Sequence, residues 1–287
     1  ALGNVICGLY YLESYCTQLA SGRVNGSVIP VVSRPRPSAV LADAKFGFAQ
    51  PAFDAGLPEA VAATLENGVA TLAIAHAHTC TSLGYFTEQI AAAGLIGIGF
   101  TNASPVVAPP GGNKRVIGTN PIAMTVPGEG APAMHFDFST SAVALGKITM
   151  AKAAGQTIPL GWAVDEEGQP TTDPDAALKG ALVSAGGYKG WGFGLMAELL
   201  AAGMTGSVNS LDVAGLKVAE GKPHDLGQFY ILMDPGTYHD GFADRFARVA
   251  EAVTAQEGAR IPGADRHAMT EVDVPDALWD LVQSLVA

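Results

Sequence analysis

The sequence predicts an α/β fold built on a mixed sheet, and two observations carry that prediction. Val69–Ala75, Leu83–Ala93 and Leu95–Phe100 alternate strand, helix and strand, the pattern of a layered α/β sheet. Ile122–Val126 and Met134–Phe138 are apolar runs joined by the Pro127–Pro132 turn. Such a hairpin makes the sheet mixed rather than wholly parallel. No Gly-x-Gly-x-x-Gly follows a strand, so the usual dinucleotide fingerprint is missing.

The other elements follow from periodicity. Leu9, Leu12, Tyr15, Cys16 and Leu19 recur at helical spacing, and Ser21-Gly22 closes that helix. A proline-bearing stretch, Pro30 to Pro37, comes next. Asp54–Asn67 is amphipathic, with Leu57, Val61 and Leu65 on one face and Gly68 as its stop. Thr157–Pro174 is rich in Gly, Pro and Asp and reads as a surface loop. Trp191–Ala202 is strongly apolar and is expected as a buried helix. Phe229–Met233 reads as a late strand, and Asp244–Gln256 and Pro275–Val286 as amphipathic helices. Ala1–Gly22 already reads as helix and turn, so native residues are expected upstream.

Composition narrows the function. The chain has 287 residues, 48 % apolar and 15 % charged, enough for a large core in one domain or two. With 16 basic and 27 acidic residues the net charge is −11. A nucleic-acid binder presents a basic face; here Arg34/Arg36 and Lys114/Arg115 are isolated pairs. The same charge disfavours anionic membranes, and no apolar run is long enough to span a bilayer. An anionic substrate therefore needs local cations to overcome the global field. The three cysteines, Cys7, Cys16 and Cys80, have no zinc or disulfide spacing. No metal is expected, and the sparse count fits a reducing cytoplasm.

Three polar turns lie beside hydrophobic elements: Gly118-Thr-Asn-Pro121, Asp137-Phe-Ser-Thr-Ser141 and Gly186-Gly-Tyr-Lys-Gly190. Glycine lets backbone N–H groups approach a ligand, and Thr119 and Asn120 add side chains able to hold a ribose or phosphate. Together they suggest a site for an extended, phosphate-bearing cofactor.

At this point the chain resembles the malate/L-lactate dehydrogenase-like NAD(P)-dependent oxidoreductases. That group includes ureidoglycolate, sulfolactate and diketogulonate enzymes and the Δ1-piperideine-2-carboxylate and Δ1-pyrroline-2-carboxylate reductases. The resemblance runs from Cys7-Gly8 to about Arg266. Its segments are Phe46–Pro51, Ala93–Gly97, Thr101-Asn102, the three turns above with Gly146-Lys147, Ile158–Gly161 and Pro170–Pro174. Each is weak alone; in order they are specific. The resemblance implies a non-Rossmann fold: a mixed-sheet cofactor-binding domain over 101–209, and a helical or mixed substrate and dimerisation domain from 1–100 and 210–287. It implies NAD or NADP as cofactor, a small anionic substrate and a homodimer. Gly118, Thr119, Asn120, Pro121, Thr140, Ser141, Gly187, Tyr188, Lys189 and Gly190 would surround the nicotinamide dinucleotide, with Lys189 as a point charge for a phosphate.

The match breaks near the start. Where family members carry a histidine to handle a proton and an arginine to bind the substrate carboxylate, this chain has Cys7 and Tyr11. Tyr15 matches a tyrosine near the substrate, although Tyr11 and Tyr15 are also spaced to pack on one helix face. A thiol is a poor general acid at neutral pH. The family's second histidine falls at Thr79, with His78 one place before it. His78 is therefore taken as the proton donor, against a core or capping role, and His76 as structural. Asp137 either tunes that acid or satisfies backbone donors at the Ser139–Ser141 turn. Lys114 and Arg115 read as a solvated pair, although they would make an attractive carboxylate clamp.

Three functions follow. The first is hydride transfer between a nicotinamide cofactor and a small 2-oxo or 2-hydroxy acid. The second is reduction of a cyclic imine carboxylate to an L-amino acid, where an iminium arrives already protonated and tolerates a weaker acid. The third, of another class, is a cofactor-binding relative that has lost its chemistry.

Overall fold

The computed structural model describes residue 8 and residues 11–215, 218–265, 271 and 273–286. In chain order the elements are α1 (Leu12–Ala20), β1 (Val31–Arg36), β2 (Ala39–Asp43), α2 (Ala49–Asn67), β3 (Val69–Ala77), α3 (Gly84–Ala92), β4 (Ile96–Thr101), β5 (Ile122–Val126) and β6 (Met134–Phe138). There follow α4 (Leu145–Ala153), β7 (Ala163–Val164), β8 (Pro170–Thr171), α5 (Pro174–Lys179), β9 (Ala181–Leu182), α6 (Tyr188–Glu198), β10 (Leu226–Met233), α7 (Phe242–Thr254) and α8 (Asp276–Val286). A π-helical turn, Leu199–Gly203, continues α6.

The main sheet has seven strands in the order β1-β2-β3-β10-β4-β5-β6. It is mixed, as the hairpin implies: β2 and β3 run parallel across the α2 crossover, and the other pairs are antiparallel. One face packs on α2 and α3, where Phe53 meets Phe86 and Tyr230 at ring distances of 4.9 and 5.1 Å. On the other face Ala73, Phe100, Ile122 and Phe229 cluster with Ala197 of α6. A second sheet, β8-β7-β9, shares a separate core of Val107, Ile117, Ile148, Ile158 and Leu182.

Several expectations are corrected. The Pro30–Pro37 stretch is largely strand β1. It lies at the sheet edge, where Pro35 costs no ladder bond, and the register shifts between Ser33 and Arg36. Helix α2 begins five residues before Asp54, because Pro51 falls in the first turn, where a missing N–H is no loss. The 157–174 loop contains β7 and β8. The apolar helix is buried on one side only: Gly190, Gly194, Ala197 and Glu198 face inward, while Phe193 and Leu199 are each 57 % exposed. Apart from these corrections, the large sheet draws strands from both sides of residue 100, with β10 seated between β3 and β4.

Candidate active site

Strand pairing gathers the sequence-selected residues at one end of the sheet. Asp43 pairs with Ala75, Leu226 with Ala77, Gln228 with Thr101, Phe100 with Ile122 and Ile122 with Phe138. That end therefore carries the turns holding His76 and His78, Asn102, Gly118–Pro121, Asp137–Ser141 and His224-Asp225. Ligand sites of open α/β sheets lie at such strand ends.

The three polar turns are brought side by side. Thr140 N donates to Thr119 O at 2.9 Å, and Thr140 Oγ1 donates to the carbonyls of Thr119 and Asn120, each at 3.1 Å. Ala185 N donates to Thr140 O at 2.9 Å, and Ser141 bridges Ser184. Gly190 is required where it stands, since a Cβ there would lie 1.8 Å from the Ala185 carbonyl. Much of the polar equipment of this seam is spent on itself. Gly118 N donates to Ser210 Oγ at 3.1 Å, so this amide is not free for a phosphate. Asn120 Nδ2 donates to Gly194 O at 3.1 Å and to Glu198 Oε2 at 2.8 Å. Ser141 Oγ donates to Val143 O at 2.8 Å.

Glu198, which sequence reasoning missed, ties this seam together. Its buried carboxylate also accepts from Asn209 Nδ2 (3.2 Å), Ser210 N (2.7 Å) and Ser210 Oγ (2.5 Å). The signal was present: one carboxylate inside the apolar run Trp191–Ala202 needs partners to be buried.

The residues left over fit a phosphate-bearing cofactor. The start of α6 is exposed at Gly186, Gly187, Tyr188 and Lys189, and a helix N-terminus offers unpaired N–H groups and a positive dipole end to an anion. Asn120 Oδ1 and Ser184 Oγ are buried polar atoms without partners along the same seam, as a site that receives a polar ligand would leave them.

A cluster of rings occupies the β3 end. His78 is 2 % exposed. Its ring stacks on His224 at 4.4 Å and 11°, and meets the edges of Phe48 and Tyr15 at 5.5 and 5.7 Å. Neither ring nitrogen of His78 is hydrogen-bonded. Burial pushes His78 down to about 3, and His224 and Arg23 beside it add to the fall. His224 is pushed down to about 4 by burial and by Arg23. The Gly215 backbone opposes that fall, although no hydrogen bond of ordinary geometry joins it to the ring. Both imidazoles are therefore neutral near pH 7. Arg23, also missed from sequence, is fully buried and donates to the carbonyls of Lys222 (3.0 Å), Gly215 (3.2 Å) and Val218.

The remaining candidates fall as follows. Tyr11 and Tyr15 stack at 6.2 Å, as helix neighbours do. Cys7 lies outside the described residues. Asp137 accepts from Gly84 N at 2.8 Å, at the start of α3, and from Ser82 Oγ at 3.3 Å. Arg115 is not a solvated loop residue: it donates to Gly180 O (2.7 Å) and Leu178 O (2.6 Å), closing the C-terminal end of α5. His76 and Asp225 pair at 2.7 Å.

The sequence and the fold are shared with known enzymes. A family model described as malate/L-lactate dehydrogenase matches residues 2–280. The chain belongs to that family. It is 38 % identical over 278 residues to the (2R)-3-sulfolactate dehydrogenase (NADP(+)) of Chromohalobacter salexigens, covering 95 % of this chain and 83 % of the relative. It is 37 % identical over 290 residues to the Δ1-pyrroline-2-carboxylate reductase of Ancylobacter novellus, covering 97 % and 84 %. The crystal structure of Δ1-piperideine-2-carboxylate reductase from Pseudomonas syringae pvar. tomato superposes with a TM-score of 0.87 at 34 % identity, covering 97 % of this chain and 86 % of that one. This member of the malate/L-lactate dehydrogenase family is thus an NAD(P)-dependent dehydrogenase or reductase with a non-Rossmann α/β fold.

Proposed function

We propose that this enzyme transfers hydride between a nicotinamide cofactor and a small 2-oxo or 2-hydroxy acid of the malate, lactate or sulfolactate type. The observation that carries this reading is the seam of Gly118–Pro121, Thr140-Ser141 and Gly187–Gly190 at the same sheet end as the imidazoles. The cofactor, when bound, supplies or accepts the hydride. The chain's own residues bind and orient. Lys189 and the start of α6 take the phosphates, and Thr119 and Pro121 border the seam. Segment 101–209 serves the cofactor; the rest serves substrate and dimer contacts. His78 and Tyr15 wall the substrate end, with Tyr11 beside Tyr15 at the start of α1; a substrate role for Cys7 rests on the family resemblance alone. A neutral His78 donates a hydrogen bond to a developing oxyanion rather than a full proton, and Asp137 holds the loop after it in place. The exposed apolar side of α6, Phe193, Met196 and Leu199, supports a homodimer, since patches of this kind mark interfaces. The sparse cysteines support a cytoplasmic setting.

A second reading, reduction of a cyclic imine carboxylate, is favoured by one observation. The buried His78 is neutral near pH 7 and carries no extra proton to give, and an iminium needs none. Nicotinamide absorbance, followed with NADH and NADPH against pyruvate, oxaloacetate, sulfopyruvate, Δ1-piperideine-2-carboxylate and Δ1-pyrroline-2-carboxylate, separates the two. Turnover of the oxo acids alone establishes the first reading, and of the imines alone the second. Cofactor binding with no turnover of either removes both.

A further inference from the structure

His76 differs from His78 in exposure and in the hydrogen bond its ring makes. Its Nδ1 lies 2.7 Å from Asp225 Oδ1, and the two side chains are 33 % and 19 % exposed. Its backbone N–H donates to Ser207 Oγ at 2.9 Å and its backbone carbonyl accepts from Phe46 N at 2.7 Å. The Phe46 ring sits 5.5 Å from the imidazole. Asp225 is fixed from its own side, where its carbonyl accepts from Val208 N at 3.1 Å.

The backbone is held in an unfavourable conformation to achieve this. His76 has φ +51° and Asp225 φ +52°, a left-handed region that side chains other than glycine rarely occupy. Phe46, against the His76 ring, has φ +63°, and Lys45 before it φ +47°. The β3–β10 register also shifts between Leu226 and Gln228, beside the pair. Strain of this kind concentrates where geometry serves function.

The pair is also tied to the cofactor seam. Ser207 Oγ holds His76, and three residues on Ser210 Oγ holds Gly118 N. Three residues span at most about 11 Å. Val208 O accepts from Asn102 Nδ2 at 2.9 Å on the same segment.

We propose that His76, positioned by Asp225, is the proton donor and acceptor of the reaction. The assignment rests on the oxo-acid reading above. A carboxylate on Nδ1 fixes the tautomer and leaves Nε2 to exchange the proton. As hydride adds to the substrate carbonyl carbon, the C=O π pair moves to oxygen and takes the proton from Nε2. The hydroxy acid is formed, the nicotinamide is oxidised and His76 is left neutral. Its exposed edge regains a proton from water. Oxidation of the hydroxy acid runs the same transfers backwards. Asp225 is a positioning residue and touches no reacting atom.

The test uses the full chain as wild type, His76→Gln, His76→Gly and Asp225→Asn. In the cofactor-free protein, ¹⁵N NMR of the His76 ring shows the hydrogen-bonded Nδ1–H tautomer, and Asp225→Asn loses it. In His76→Gln, kcat on the 2-oxo acid falls by about 10²–10³-fold, while NADPH affinity by fluorescence titration is unchanged. Added imidazole restores part of kcat in His76→Gly, which a purely structural role would not allow. Asp225→Asn lowers kcat with little change in KM. Turnover by the wild type that His76→Gln leaves undiminished overturns the dyad alone, as does a failure of imidazole to restore any activity. A wild type that binds NADPH and reduces no oxo acid overturns the functional reading instead.

Discussion

Replacing Glu198 by alanine tests whether the cofactor seam is held from within. The carboxylate is 4 % exposed and accepts from Asn120 Nδ2, Asn209 Nδ2, Ser210 N and Ser210 Oγ. Asn120, Ser210 N and Ser210 Oγ are buried, and each donor stranded in the interior costs about 1–3 kcal/mol. Water entering the vacated volume recovers part of that, so a net loss of about 3–5 kcal/mol is expected. Glu198→Gln keeps the shape and one acceptor oxygen. Its amide nitrogen faces donors, and the loss is about 1–2 kcal/mol. The urea midpoint measures both, and NADPH fluorescence measures the consequence for the site. Glu198→Ala should weaken NADPH binding because Gly118–Asn120 loses its brace on α6. A change of under about 1 kcal/mol in Glu198→Ala, with cofactor affinity intact, would refute the reasoning. The four hydrogen bonds would then be dispensable company rather than a support.

Acid should destabilise the fold through the stacked imidazoles. His78 and His224 sit at about 3 and about 4, below the value of about 6.5 in an unfolded chain. The unfolded chain therefore takes up protons first, and stability falls as pH drops from about 6.5 toward 4. Each imidazole contributes about 1.4 kcal/mol per pH unit well inside that window. Urea midpoints across pH should show this slope, and His224→Phe should roughly halve it. Arg23→Gln removes the donors holding Gly215, Val218 and Lys222. Amide hydrogen exchange should speed up over 218–222, with a loss of about 2–4 kcal/mol. Arg115→Ala should cost about 1–2 kcal/mol through the end of α5 and leave KM for the acid unchanged; a raised KM would restore it as a carboxylate clamp.

The strands were legible where patterning is local. Ile122–Val126 and Met134–Phe138 are strands over those same residues, because a short apolar run between turn residues has few alternatives. Strand β1 was not legible. Pro35 argues against a strand, and only its place at the edge, set by the distant pairing of β2 with β3, makes it acceptable. The seam was legible as three separate turns, yet its bracing was not. Glu198 meets Asn120 across 78 residues of chain and Ser210 meets Gly118 across 92, contacts that no local pattern encodes. Arg23, His224 and Asp225 stayed invisible for the same reason. Each acquires its meaning from a partner on another element.

His76 and His78 stand two residues apart and have unlike surroundings. In a regular strand, residues two apart share a face, and the two rings would be alike. The left-handed turn at His76 sends its ring to Asp225 and solvent, while His78 enters a cluster of rings with no hydrogen bond. His76→Gly tests whether that turn exists for the ring it carries. Glycine relieves the left-handed strain, a gain of about 1 kcal/mol. It also loses a partly exposed hydrogen bond of about the same size. Thermal and urea midpoints should therefore change little, by under about 1 kcal/mol. Activity should fall by about 10²–10³-fold at the same time. Stability unchanged with activity lost is the mark of strain kept for chemistry. A large fall in stability, with activity lost only in proportion to the unfolded fraction, would make the His76–Asp225 pair a structural clasp.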